Sequence, residues 1–155
     1  MQKLTTFLWF DKEAREAANF YKSVFKENCK IKDEQKMNDT PSGNVEIINL
    51  EIFNQEFSLM SAGPFEKFNA SISFVINCEN QEEVDYYWQN LSADPKSEQC
   101  GWLKDKFGLS WQVVPKQLNE ILSGNDQEGV KRATQAMLKM KKLNIDELQK
   151  AYNQK

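Results

Sequence analysis

The sequence contains no histidine. That absence removes Ser-His-Asp and Cys-His nucleophilic catalysis, the HExxH zinc motif and every imidazole metal ligand. Glycine is sparse as well. Gly43, Gly63, Gly101, Gly108, Gly124 and Gly129 nowhere fall in GxG spacing, and no GxxxxGK[ST] occurs. Phosphate-loop and dinucleotide-binding chemistry therefore lack a basis in the sequence. The first apolar segment is followed by Asp11-Lys12-Glu13-Ala14, not by the glycine-rich loop of a class I methyltransferase. Cys29, Cys78 and Cys100 are odd in number, 49 and 22 positions apart, and form no CxxC. They are expected to act as small buried or half-buried hydrophobes of a reduced, cytoplasmic protein, because no h-region precedes the first strand. The longest apolar run, Phe7 to Phe10, is far too short to span a membrane. Twenty basic residues against 23 acidic ones leave no basic excess for nucleic acid.

What is present is ordinary globular patterning over 155 residues, enough for one domain or two half-domains sharing a core. Lys3 to Phe10 reads as a strand, nearly all apolar after Leu4, as if covered on both faces. Asp11 is a candidate cap for a helix with one apolar stripe: Ala14, Ala17, Ala18, Tyr21, Val24 and Phe25. Cys29 to Lys36 is a weak strand, and 38–44 a loop around Pro41 and Gly43. Val45 to Phe53 and Glu56 to Ser61 form a hairpin turning at Asn54-Gln55. A connector, 62–69, carries Gly63-Pro64.

The pattern then restarts. Ser71 to Cys78 is a strand. Asn80 and Glu83 form a capping box before the stripe Val84, Tyr87, Trp88 and Leu91. Short strands at Gln99 to Lys104 and Leu109 to Val114 flank a turn at 105–108. Phe20-Tyr21 and Tyr86-Tyr87 stand 66 positions apart, which marks an internal repeat of strand, helix and two or three strands. Pro115 opens helical sequence. Leu118, Ile121 and Leu122 form a stripe. Val130, Ala133, Met137 and Leu138 follow a candidate cap at Asn125/Glu128. Ile145, Leu148, Ala151 and Tyr152 follow another at Asn144/Glu147. These amphipathic helices need a docking surface, either their own sheet or a second subunit. Lys139, Lys141 and Lys142 read as a solvated face, and Asp105 as a turn residue bonding backbone amides.

The segments Phe7-Leu8-Trp9-Phe10-Asp11 and Ala17-Ala18-Asn19-Phe20-Tyr21-Lys22-Ser23-Val24-Phe25 resemble the opening of PhnB-like proteins. So do the segments Phe68 to Val75 and Gln81 to Trp88. The stretch Gln99-Cys100-Gly101-Trp102-Leu103-Lys104-Asp105-Lys106-Phe107-Gly108, with Ser110 to Pro115, is the most specific match. The likeness runs over nearly the whole chain, C-terminal helices included. These proteins, often labelled demethylubiquinone methyltransferase domains, belong to the vicinal oxygen chelate superfamily with glyoxalase and bleomycin-resistance proteins. The resemblance implies an α+β fold of two βαβββ modules, about 1–62 and 70–115, curving around a cavity, with a helical extension over 116–155. It also implies a homodimer.

Metal-dependent members of that superfamily hold a divalent ion with His, Glu or Gln from four strands. By the family's pattern those positions fall near Thr6, near Met60 or Ser61, near Ser71 and on Gln112. Hydroxyls, a thioether and an amide replace charged or imidazole ligands there, so no metal and no other cofactor is expected. Ser110, Gln112 and Val114 alternate with Leu109, Trp111 and Val113, so Gln112 facing the cavity sends Trp111 to the helices. Ser71 and Ser73 then join Gln112, with Ile72, Phe74 and Ile76 outward. Trp9, Phe65, Phe68 and Trp102 are candidate aromatic walls. Thr6, Trp9, Met60, Phe65, Phe68, Ser71, Ser73, Trp102 and Gln112 are thus the expected lining for a small polar or aromatic molecule, unless the aromatics fill the cavity. The alternative is a non-catalytic interaction module using the C-terminal helices. Any enzyme activity is expected to be metal-independent and not methyl transfer.

Overall fold

The computed structural model describes residues 2–154 and divides into two compact units, Met1–Phe68 and Asn69–Lys155. In the first, β1 (Thr6–Phe10) leads to α1 (Ala14–Phe25), and a single 3-10 turn at Lys26–Asn28 leads on to β2 (Cys29–Thr40), β3 (Gly43–Ile52) and β4 (Gln55–Ser61). The sheet order is β1-β4-β3-β2, with β1 parallel to β4 and the other pairs antiparallel. All six residues of the α1 stripe are buried, at 3% exposure or less. They meet Leu8, Phe10, Ile48, Leu50, Ile52, Phe57 and Leu59, the alternate residues of three strands. Each large side chain so buried contributes about 1.5–3 kcal/mol.

β1 is therefore covered on one face only. Leu8 and Phe10 are buried, whereas Phe7 is 55% exposed. Nor does Asp11 cap α1: Glu13 is the N-cap residue without a side-chain bond, and the Ala14 N–H donates to Ser61 Oγ at 3.0 Å. β2 extends beyond its expected end to Thr40, so the expected loop shrinks to Pro41-Ser42. The β3–β4 turn sits at Phe53-Asn54, one position earlier than expected, because Ile52 pairs with Gln55. Both turn residues have positive φ, 48° and 62°, the geometry of a type I′ hairpin. A phenylalanine rarely adopts it. Here Phe53 is held by its N–H to Asn28 O at 2.9 Å and by an edge-on ring contact with Phe25 at 5.8 Å.

The second unit contains β5 (Phe74–Cys78), α2 (Gln81–Leu91), β6 (Trp102–Lys104), β7 (Ser110–Pro115), α3 (Lys116–Leu122), α4 (Gln127–Met137) and α5 (Ile145–Asn153). Its sheet, β5-β7-β6, pairs β5 parallel and β6 antiparallel to β7. This module is βαββ, one strand short of the expected βαβββ. The strand expected over Gln99 to Lys104 is confined to Trp102–Lys104, because Cys100-Gly101 forms a turn with both residues at positive φ. The C-terminal extension lies against this turn. Cys100 N–H donates to Met140 O at 2.9 Å and Gly101 N–H to Lys141 O at 2.8 Å. Lys139, Lys141 and Lys142 are exposed as expected, and two of them form surface ion pairs, Lys141 Nζ with Glu98 at 3.1 Å and Lys142 Nζ with Asp85 at 2.6 Å.

The extension docks on its own unit. Leu118, Ile121, Ala133, Leu143 and Leu148 form a buried cluster with Val114, Met137, Met140 and Tyr152 around it. Leu122 and Leu138, expected in the stripes, are 42% and 49% exposed. Asn80 and Asn144 cap α2 and α5 as expected; α4 is capped by Asp126 rather than Asn125, because it is Asp126 that accepts from Gly129 N. Among the described residues no helix is long and apolar enough to cross a membrane.

Candidate functional site

On the second sheet, Trp111 and Val113 are buried and Gln112 is half-buried, as alternation requires. Gln112 pairs with Val75 on one side and Trp102 on the other. Its Nε2 donates to Ser73 Oγ at 2.9 Å, so those two expected site residues come together. Ser110, two residues before Gln112 and opposite Lys104, is 1% exposed, and its hydroxyl has no hydrogen-bond partner. Sequence reading noted its face but not its burial.

Ser71 does not join them. β5 begins at Phe74, and Ser71 lies in an exposed turn, where its N–H and hydroxyl both bond Asn69 Oδ1, the N–H at 2.9 Å. Ile72, expected to pack outward, is 70% exposed in the same turn. The polar Asn69 captures the backbone locally, which shortens the strand.

The first unit's candidates also divide. Trp9 pairs with Met60, donates its indole N–H to Gly63 O at 2.9 Å and meets Phe65 edge-on at 6.4 Å. Trp9, Met60 and Phe65 thus cluster on the sheet face turned away from α1. Phe68 instead packs edge-on to Phe10 at 5.1 Å, and Phe10 points to the opposite face from Trp9. Thr6 shares the parity of Leu8 and Phe10, so it too lies opposite Trp9. Ser61 is used by the amide of Ala14.

The fold family implies a divalent ion, and the donor set does not suit one. At the positions where the resemblance would put the ligands stand the Thr6 hydroxyl, the Met60 thioether or the Ser61 hydroxyl that accepts from Ala14, the Ser71 hydroxyl bonded to Asn69, and the Gln112 amide tied to Ser73. Such neutral donors compensate poorly for an ion's lost hydration. Among the described residues no three His, Cys, Asp or Glu converge. Burial pushes the Cys29 thiol up and the Cys78 thiol up to about 12, which makes both poor thiolates at neutral pH.

A polar recess of about 360 Å³, which sequence reading did not find, lies on the first sheet around Lys32, Asp33, Asn49, Glu56 and Ser58. Its only signal was the run of polar residues at alternate positions of β3 and β4.

A family model described as 3-demethylubiquinone-9 3-methyltransferase matches residues 2–114. The match stops before the C-terminal helices, which the resemblance was expected to include. Among solved structures, a PhnB protein of Bacillus cereus is 29% identical with a TM-score of 0.60, covering 74% of this chain and 99% of its own. A Pseudomonas aeruginosa protein is 18% identical with a TM-score of 0.54, covering 74% and 98%. The fosfomycin resistance protein FosX of Listeria monocytogenes is 13% identical with a TM-score of 0.51, covering 74% and 93%. The last two share the fold alone. No curated protein matches. By its family match, the chain belongs to the 3-demethylubiquinone-9 3-methyltransferase family, PhnB-like proteins on the glyoxalase/bleomycin-resistance fold of the vicinal oxygen chelate superfamily.

Proposed function

We propose that this protein binds a small polar molecule, without a metal ion, on the face of the second sheet that carries Gln112. The supporting observation is Ser110, a hydroxyl 1% exposed and without a partner. Leaving such a group unpaired costs about 1–3 kcal/mol. A ligand atom recovers that cost once it displaces the side chains that cover the hydroxyl. Two residues on, Gln112 gives its amide N–H to Ser73, which orients its carbonyl oxygen as an acceptor. The two groups stand roughly 7 Å apart along the strand, spacing that suits a molecule carrying both a donor and an acceptor. The β1–α1 connection does not support methyl transfer through a glycine-rich loop: Asp11, Lys12 and Glu13 link the two elements without glycine, and the first helical amide is already used by Ser61.

A thermal-shift screen with metabolites and antibiotics tests this reading. Compounds are expected that stabilise the protein and lose the effect in Gln112→Ala and in Ser110→Ala. A screen without hits, or hits indifferent to both variants, overturns it. Metal analysis of protein purified without an affinity tag is expected to find far less than stoichiometric Zn, Fe, Mn or Ni. A stoichiometric metal lost on Gln112→Ala refutes the metal-free reading.

A further inference from the structure

The recess on the first sheet lies apart in sequence from the Gln112 face and has its own chemistry. Its volume, about 360 Å³, falls within the ~300–1,000 Å³ of small-ligand sites. The floor is the β3–β4 hairpin, paired without interruption from Glu46–Ser61 to Ile52–Gln55. The wall is a bulge in β2, where the register shifts between Ile31 and Asp33 and Lys32 is the extra residue. In a regular strand Lys32 and Asp33 would point to opposite faces. The bulge lets both reach the recess, a common use of such irregularities beside binding sites.

There Lys32 Nζ meets Glu51 at 2.9 Å and Glu56 at 3.1 Å. These hydrogen bonds, Glu51 first and then Glu56, hold the ammonium charged above its ordinary range. The lysine's charge is thus already shared between two carboxylates. Among the described residues Asp33 has no cationic partner; its Oδ1 accepts from Asn49 Nδ2 at 2.7 Å, and Asn49 Oδ1 accepts from Ser58 Oγ at 2.6 Å. The chain has a direction. Each proton points along it toward Asp33, so Ser58 Oγ and the second oxygen of Asp33 are left with free lone pairs. Among the described residues, the charged side chains lining the recess are one cation, Lys32, and two anions, Asp33 and Glu56, and only Asp33 is not bonded to the lysine. An anionic guest would be repelled by Asp33 and a neutral donor would bond it more weakly, whereas a cationic donor makes the stronger, charge-assisted bonds.

We propose that this recess binds the cationic amine group of a small organic molecule. The test uses n-butylammonium, n-butanol and butyrate, probes of like size that differ in the head group. They are titrated into the full-length 15N-labelled protein and read at the backbone amides of Asn49 and Ser58 and at the Asn49 side-chain amide. Butylammonium is expected to give a saturable, salt-weakened response that the other two do not. Asp33→Asn is expected to weaken it by roughly tenfold or more. Lys32→Gln, which frees two carboxylates, is expected to tighten it. Both positions are exposed, and amide dispersion verifies the fold of each variant. An equal response to butyrate or butanol, no saturable response, binding that survives Asp33→Asn, or weakening by Lys32→Gln overturns the proposal. The variants and readouts used here all lie in the first unit, whereas Gln112→Ala and Ser110→Ala test the Gln112 face, so the two readings fail by different measurements.

Discussion

The indole N–H of Trp111 donates to Asp105 Oδ2 at 2.9 Å, and both side chains are 3% exposed. The other carboxylate oxygen accepts the amides of Phe107 at 2.9 Å and Leu109 at 3.1 Å. One aspartate thus ties the β6–β7 turn to the inward face of β7. With Trp111 held inward, alternation turns Ser110 and Gln112 the other way.

Replacing that carboxylate is expected to be costly. Asp105→Ala orphans a buried indole N–H and two turn amides, a loss of about 3 kcal/mol by urea unfolding. Asp105→Asn, which keeps an acceptor but loses the charge, is expected to cost less, about 1–2 kcal/mol. A cost below ~0.5 kcal/mol for the alanine variant would show that water replaces these bonds.

The thiol of Cys78 makes stability depend on alkaline pH. Burial raises it from an ordinary 9.0 to about 12, so the folded state binds a proton that the unfolded chain releases earlier. Its contribution is full below pH 9 and is lost progressively as pH rises toward 12. Unfolding midpoints measured from pH 8 to pH 11 are expected to fall more steeply for the natural protein than for Cys78→Ala. Parallel curves would contradict the assignment to this thiol.

The C-terminal extension is expected to hold the edge of the second sheet. Leu143 is fully buried, and its Cδ1 lies 3.0 Å from the position of a Cβ on Gly101, whose φ is +85°. Leu143→Ala should cost about 2–5 kcal/mol. It should also speed amide exchange at Cys100 and Gly101, whose N–H groups bond Met140 and Lys141. Exchange that stays at natural rates at both amides would separate the extension from the sheet edge.

Much of the framework was legible because its signals are local. The six-residue stripe of α1 needs only helical spacing and apolar side chains, and all six are buried. Asn80 and Asn144 cap their helices with oxygens three residues from the amide they accept. The opposition of Trp111 and Gln112 follows from alternation within one strand. Ser71 was misplaced because Asn69, two residues away, bonds its backbone and delays the strand. The second module's third strand was implied by the resemblance alone; its own sequence shows two strand-like runs after the helix, and two strands form.

The period of each element, the absence of imidazole and glycine-loop chemistry, the repeat and the family are all readable from the residues alone. Those properties reside in residue type and short spacing. Where the C-terminal helices place their apolar faces is set by packing, because an amphipathic stripe has no built-in preference for one apolar surface over another. Only the tertiary structure put Lys32 and Asp33 on one face, since a bulge arises from pairing with β3 and not from β2 alone. And only packing buried the Ser110 hydroxyl without a partner: a serine reads the same in any strand, and what surrounds it is set by residues far away in the chain.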